Sequence, residues 1–113
     1  MKPQVDVNAE VKKVIVEISE KMLGVTAVLE NNKIIGVVTD GDIRRMLSKY
    51  DSIKGLTAKD IMSAHPKTIE NDTLAVKALE LMQANGISQV LAIENDTYMG
   101  VVHIHNLINE GII

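Results

Sequence analysis

Gly36-Val37-Val38-Thr39-Asp40-Gly41-Asp42-Ile43-Arg44-Arg45 carries the change of pattern that decides the fold. The β-branched run ending at Thr39 reads as a strand, Gly41 as a tight turn, and the residues from about Asp42 to Lys49 as a short helix. A strand-to-helix turn exposes backbone N–H groups at a positive dipole end, a setting that favours a phosphate or another anion. The Thr39 hydroxyl can donate to such a group, the Asp42 carboxylate can accept from a ribose diol, and Arg44 and Arg45 add positive charge. The same residues also read without a ligand: Asp42 caps a helix and the arginines form a solvated face. Spacing alone leaves both readings open.

Upstream of this stretch, Val25–Glu30 and Ile34–Thr39 flank Asn31-Asn32-Lys33. Asn tolerates positive φ, so the segment reads as a hairpin. Before it, Asn8 to Met22 places Ile15, Ile18 and Met22 at three- and four-residue steps, one face of a helix, with Asn8 suited to the N-cap.

The whole arrangement recurs 64 residues on, with Glu30-Asn31 matching Glu94-Asn95 and Gly36-Val37-Val38 matching Gly100-Val101-Val102. Asp72 to Ala84 is the second amphipathic helix, with Asp72 at its N-cap and Gly86 at the left-handed C′ position. Gln89–Ile93 and Tyr98–His103 form the second hairpin, and a short helix follows near His105–Glu110. Between the copies, Thr57-Ala58-Lys59-Asp60 resembles a capping box, so a helical turn runs to Met62. Pro66 ends it and Thr68-Ile69 starts a strand, as Pro3-Gln4-Val5 does earlier. The expected fold class is α/β (α+β), a β-α-β-β-α unit present twice. Its two sheets should pack face to face about a pseudo-twofold axis, because either sheet alone leaves an apolar face wet.

Composition narrows the function. The 113 residues suit one domain, are 46% hydrophobic and carry only two aromatic residues, both Tyr, so the core must be aliphatic. The lack of aromatic platforms and a formal charge of −3 argue against a nucleic-acid partner. Cysteine is absent, which excludes disulfides, thiolate nucleophiles and Cys-ligated zinc. No apolar run approaches the ~20 residues needed to cross a bilayer, so a soluble cytoplasmic domain with no membrane partner is expected. Hydrolase elbows and glycine-rich phosphate loops are missing as well. Neither a catalytic residue nor a cofactor is expected.

The pattern Gly-Val-Val-Thr-x-x-Asp-Ile closing the first β-α-β-β-α unit resembles the signature of CBS domains, whose tandem pairs form the Bateman module, a disc with two nucleotide-holding clefts. Lys59-Asp60-Ile61-Met62-Ser63 followed by Pro66 resembles the lead into a second CBS motif. On that reading residues 1–50 are the first motif, 51–65 a linker, and 66–113 the second. Leu23-Gly24-Val25-Thr26, Thr39 through Arg45, Ala75 through Gln83 and Gly100 through Leu107 are similar to the C-terminal tail of arabinose 5-phosphate isomerases, which feed the synthesis of the octulosonate Kdo. The resemblance implies a regulatory module that senses a nucleotide or nucleotide-sugar, with CMP-Kdo as candidate. It further implies a preceding sugar isomerase domain and association as a homodimer or tetramer. The resemblance favours a ligand role for Thr39 and Asp42, with Arg44 and Arg45 beside them.

Copy two departs from the signature. His103 replaces Thr39 and Asn106 replaces Asp42, so the second cleft should differ from the first; His103, His105 and Asn106 are its candidate ligand residues. His103 and His105 share a strand face but lack a third metal ligand, so no metal site is expected. His65 reads as an exposed linker residue. The alternatives are a structural or oligomerising module without a ligand, and a free-standing CBS protein that binds an adenosine nucleotide.

Overall fold

The computed structural model describes residues 2–105. The first copy comprises β1 (Gln4–Asp6), α1 (Val11–Lys21), β2 (Val25–Glu30), β3 (Lys33–Thr39) and α2 (Asp40–Lys49). A connection follows with α3 (Ala58–Ile61) and β4 (Ser63–Ala64), and then the second copy: β5 (Thr68–Glu70), α4 (Ala75–Asn85), β6 (Gln89–Glu94) and β7 (Thr97–His103). One sheet has the order β1-β2-β3-β4 and the other β5-β6-β7.

The 64-residue repeat persists into the hydrogen-bond register. Gln4 pairs with Ala27 as Thr68 does with Leu91, and Val25 with Thr39 as Gln89 does with His103. The irregularity between Val28 and Leu29 returns between Ala92 and Ile93. Both hairpins turn on two residues of positive φ, Asn31 and Asn32 at 52° and 66°, Asn95 and Asp96 at 50° and 63°. That double positive φ is the turn whose twist matches the flanking strands, and short Asn and Asp side chains tolerate it. As expected, Gly86 closes α4 in the left-handed region, φ 64°.

Each sheet covers its own helices on one face and the other sheet on the second. Val14 and Ile18 of α1 and Met46 of α2 pack with Val5, Val28 and Val38. In copy two, Ala78 and Met82 of α4 pack with Val90. Ala27, Leu91 and Tyr98 are buried at the seam between sheets, with Leu29, Ile34, Val37 and Val101 around them. Equivalent positions are filled unequally there, Ala27 against Leu91 and Ile34 against Tyr98, so small and large side chains can interdigitate. β2 and β6 are buried on both faces, which explains their near-continuous apolar runs.

Three helix starts differ from the sequence reading. Neither Asn8 nor Asp72 is an N-cap: α1 begins at Val11 after Glu10 and α4 at Ala75 after Leu74, without a side-chain cap bond. Asp6 takes the Asn8 amide into a local turn, 2.9 Å, and a backbone bond from Thr73 to Glu70 closes the turn that holds Asp72. The Val11 amide is met instead by the Leu56 carbonyl, 3.1 Å, so the connection does the work of a cap. α2 begins at Asp40, two residues earlier than expected, and Gly41 lies in its first turn. The strand β4 was not foreseen; it pairs Gly36 with Ala64 and Val37 with Ser63. Gly36 permits it, since a Cβ there would lie 2.6 Å from Met62 Sδ and 2.9 Å from the Ser63 carbonyl oxygen.

Candidate functional site

β3 delivers Thr39 to the start of α2, where its extended backbone cannot continue the helix and its side chain becomes the N-cap. The Thr39 hydroxyl accepts from the Asp42 amide at 3.3 Å, and Asp42 Oδ2 accepts from the Thr39 amide at 2.9 Å. This reciprocal capping box satisfies two orphan donors of the first turn. Asp42 is only 4% exposed. Its second oxygen, Oδ1, accepts from the Ser63 hydroxyl at 2.8 Å and from the Arg45 guanidinium.

The two arginines part company. Arg45 folds back along the helix to Asp42, three residues away, with most of its side chain in solvent. Arg44 lies about 100° further round the helix and faces a cleft of about 480 Å³ at the seam between the copies. Thr39 and Gly41 line the cleft from copy one; Ser63 to Lys67 form one wall, and Gly86 to Leu91 the other. Its floor is apolar, from Val25, Val37, Ile87 and Leu91. Lys67 supplies a second cation, and among the described residues no Asp or Glu lines the cleft, although the chain as a whole is acidic. Asp42 stands behind this wall and not on it.

A second hollow, also about 480 Å³, opens where Thr39, Gly41 and Arg44 meet Ser88, Gln89, His103 and His105. The two imidazoles stack with centroids 4.8 Å apart and planes 9° from parallel. His103 Nδ1 accepts from the His105 amide at 3.1 Å, so His103 takes the place at the start of the helical residues Ile104 and His105 that Thr39 holds before α2. Burial, and then the charge of the His105 ring, lower the His103 pKa. Asn106 and the rest of the expected helix near His105–Glu110 lie outside the described residues. Among the described residues, no cluster of three or more His, Cys, Asp or Glu could hold a metal ion, and no helix is long and apolar enough to cross a membrane.

The structure thus brings Thr39, Arg44, His103 and His105 to the seam, and turns Asp42 and Arg45 toward each other beside it. Sequence reasoning missed Ser63, Lys67, Ser88 and Gln89. His65, exposed and left-handed at φ 57°, borders the cleft too. The only signal for Ser88 and Gln89 was the 64-residue offset, which makes them the counterparts of Gly24 and Val25.

The family model described as CBS domain matches residues 2–49 and 58–112. The chain is 33% identical over 112 residues to the arabinose 5-phosphate isomerase KdsD of Escherichia coli K12, covering 98% of this chain and 34% of that protein. It is 36% identical over 107 residues to the KdsD of Francisella tularensis, covering 94% and 33%. The chain therefore spans about a third of the length of the curated relatives it matches. Among solved structures, a CBS domain protein from Pyrobaculum aerophilum complexed with AMP superimposes with a TM-score of 0.83 at 22% identity, covering 94% of this chain and 82% of that one. The CBS domain of a membrane protein from Sphaerobacter thermophilus gives 0.77 at 17% identity, covering 96% and 80%.

Proposed function

The chain belongs to the CBS-domain family as a tandem pair, a regulatory and non-catalytic type of module, and from that premise we propose that its seam cleft senses a nucleotide or nucleotide-sugar and biases the activity of an attached isomerase domain. The cleft itself carries the reading. It joins an apolar floor to Thr39, Arg44 and Lys67, with no carboxylate among the described lining residues to repel an anion. The amides at the start of α2 add a positive end to the same rim.

CMP-Kdo is the ranked ligand, as the activated product of the pathway such isomerases feed. It brings a phosphate and a carboxylate, which suit two separate cations. Arg44 and Lys67 supply that pair, whereas the adjacent Arg44 and Arg45 do not, since Arg45 is engaged by Asp42. The competing ligand is AMP, supported by the AMP complex of the Pyrobaculum aerophilum relative. Thr39 remains a ligand residue in this proposal. Asp42 joins it where a ligand hydroxyl displaces one of its present donors, and His103, His105 and Asn106 belong to the second hollow. The module works in the cytoplasm, with the isomerase domain as covalent partner.

Thermal unfolding with AMP, CMP and CMP-Kdo tests this. Ligand at ~100 times its dissociation constant adds about 2.7 kcal/mol, a shift easily read. CMP-Kdo should stabilise most; a flat response to all three favours the module without a ligand. That second reading draws on Val16, Met22, Leu47 and Leu74, apolar and exposed on or beside three helices. Light scattering at micromolar concentration should find a homodimer or tetramer, and a monomer alone would count against it. The isolated chain should not interconvert ribulose and arabinose 5-phosphates.

A further inference from the structure

Ser63 stands where the cleft wall, the connection between copies and the Asp42 carboxylate meet. Asp42 is fully engaged. A carboxylate offers about four acceptor positions. Oδ2 holds the Thr39 amide at 2.9 Å and the Thr39 hydroxyl at 3.2 Å, while Oδ1 holds the Arg45 guanidinium and the Ser63 hydroxyl at 2.8 Å. Three of the four donors come from residues within three positions of Asp42. Among the described residues Ser63 alone comes from elsewhere, 21 residues along, and like Thr39 it also lines the cleft.

The strand carrying Ser63 is short. β4 is Ser63–Ala64, paired to β3 only at Gly36 and Val37. Beyond it, His65 adopts a left-handed φ of 57° before Pro66 redirects the chain. Removing a two-residue strand at a sheet edge disturbs little else, so the Ser63 hydroxyl is the donor that can leave at least cost.

We propose that Ser63 is a latch that determines how the cleft reads a ligand diol: a sugar hydroxyl reaches Asp42 by replacing Ser63, and that exchange releases β4 from the first copy. Cleft occupancy is thereby coupled to the docking of the segment that joins the two copies. The ligand half rests on the cleft being a nucleotide site; the latch itself does not. Replacing one neutral hydroxyl by another is nearly balanced. The unmodified chain should therefore separate CMP from 2′-deoxy-CMP by only about two- to threefold. Without the Ser63 hydroxyl, Asp42 keeps an acceptor position open to the ligand, and the separation should rise to about tenfold.

The experiment measures CMP and 2′-deoxy-CMP by calorimetry in the unmodified chain, Ser63→Ala and Ser63→Thr, together with amide hydrogen exchange of the ligand-free proteins. The expected result is a wider ratio in Ser63→Ala only, with exchange in β4 faster by about tenfold and exchange in β5 to β7 unchanged. Ser63→Thr keeps a hydroxyl and should restore both values. Equal ratios in all three proteins would overturn the diol exchange. If neither nucleotide binds any of them, the nucleotide reading falls, and hydrogen exchange still decides the latch: faster exchange in Ser63→Ala upholds it, and unchanged exchange sinks it.

Discussion

The Tyr98 hydroxyl donates to the Pro3 carbonyl at 2.7 Å, tying the second hairpin to the chain just before β1 across 95 residues of sequence. Both ends are buried, and Pro3 also receives the Ala27 amide at 3.2 Å. Burial, and then the charge of Glu17, raise the Tyr98 pKa above its ordinary value, so the phenol remains a donor at physiological pH.

Tyr98→Phe should cost about 1 kcal/mol, because the aromatic packing survives and Pro3 keeps one partner. In a domain of this size that lowers Tm by about 4–8 °C, which calorimetry would detect. An unchanged Tm would mean that the seam is held by packing alone.

The ends of α1 and α4 make a matched pair of tests. Met22 and Gly86 occupy equivalent left-handed positions, φ 59° and 64°, and Met22 is 83% exposed. A Cβ at Gly86 would meet nothing within 4 Å, so its substitution probes backbone conformation only. Gly86→Ala should destabilise by about 1 kcal/mol and Met22→Gly stabilise by about 0.5–1 kcal/mol. Denaturant midpoints of opposite sign for the two variants are the expected outcome.

Arg44 and Arg45 are neighbours in sequence with separate tasks. Arg44→Ala should weaken binding of an anionic nucleotide by about tenfold or more and leave the melting temperature nearly unchanged. Arg45→Ala should do the reverse, leaving affinity within about twofold and lowering stability by up to about 1 kcal/mol, since its pair with Asp42 is largely exposed on the arginine side. Equal losses of affinity in both would show that the pair acts together.

The lowered His103 pKa predicts a pH dependence of defined sign. The folded chain binds a proton at His103 less readily than the unfolded chain, whose ordinary value is 6.5. The contribution to stability is therefore complete above about pH 6.5 and is lost as pH falls toward the folded pKa. Tm should drop between about pH 7.5 and 5.5, and drop less in His103→Thr, which places a threonine where copy one has Thr39. Parallel pH profiles for the two proteins would remove His103 as the cause.

The repeat, the order of the described elements apart from β4, both hairpin turns and the seam between two sheets were legible in the sequence. They depend on local patterns, such as Asn31-Asn32 at positive φ or the apolar run of β2, which any 64-residue comparison exposes. The starts of α1 and α4 were misread because Asn8 and Asp72 are good caps only in isolation. The Leu56 carbonyl, distant in sequence, settled the first amide of α1. For the candidate site the division is sharper. Thr39 at the end of a strand and the arginines close after it are read directly from the stretch Gly36 to Arg45. That Asp42 turns to Ser63 and Arg45, while Arg44 lines the cleft that Lys67 also borders, follows from which elements pack against α2. A buried carboxylate must have its acceptor positions filled. The donors that fill them are chosen by tertiary proximity, which the linear order of residues does not contain.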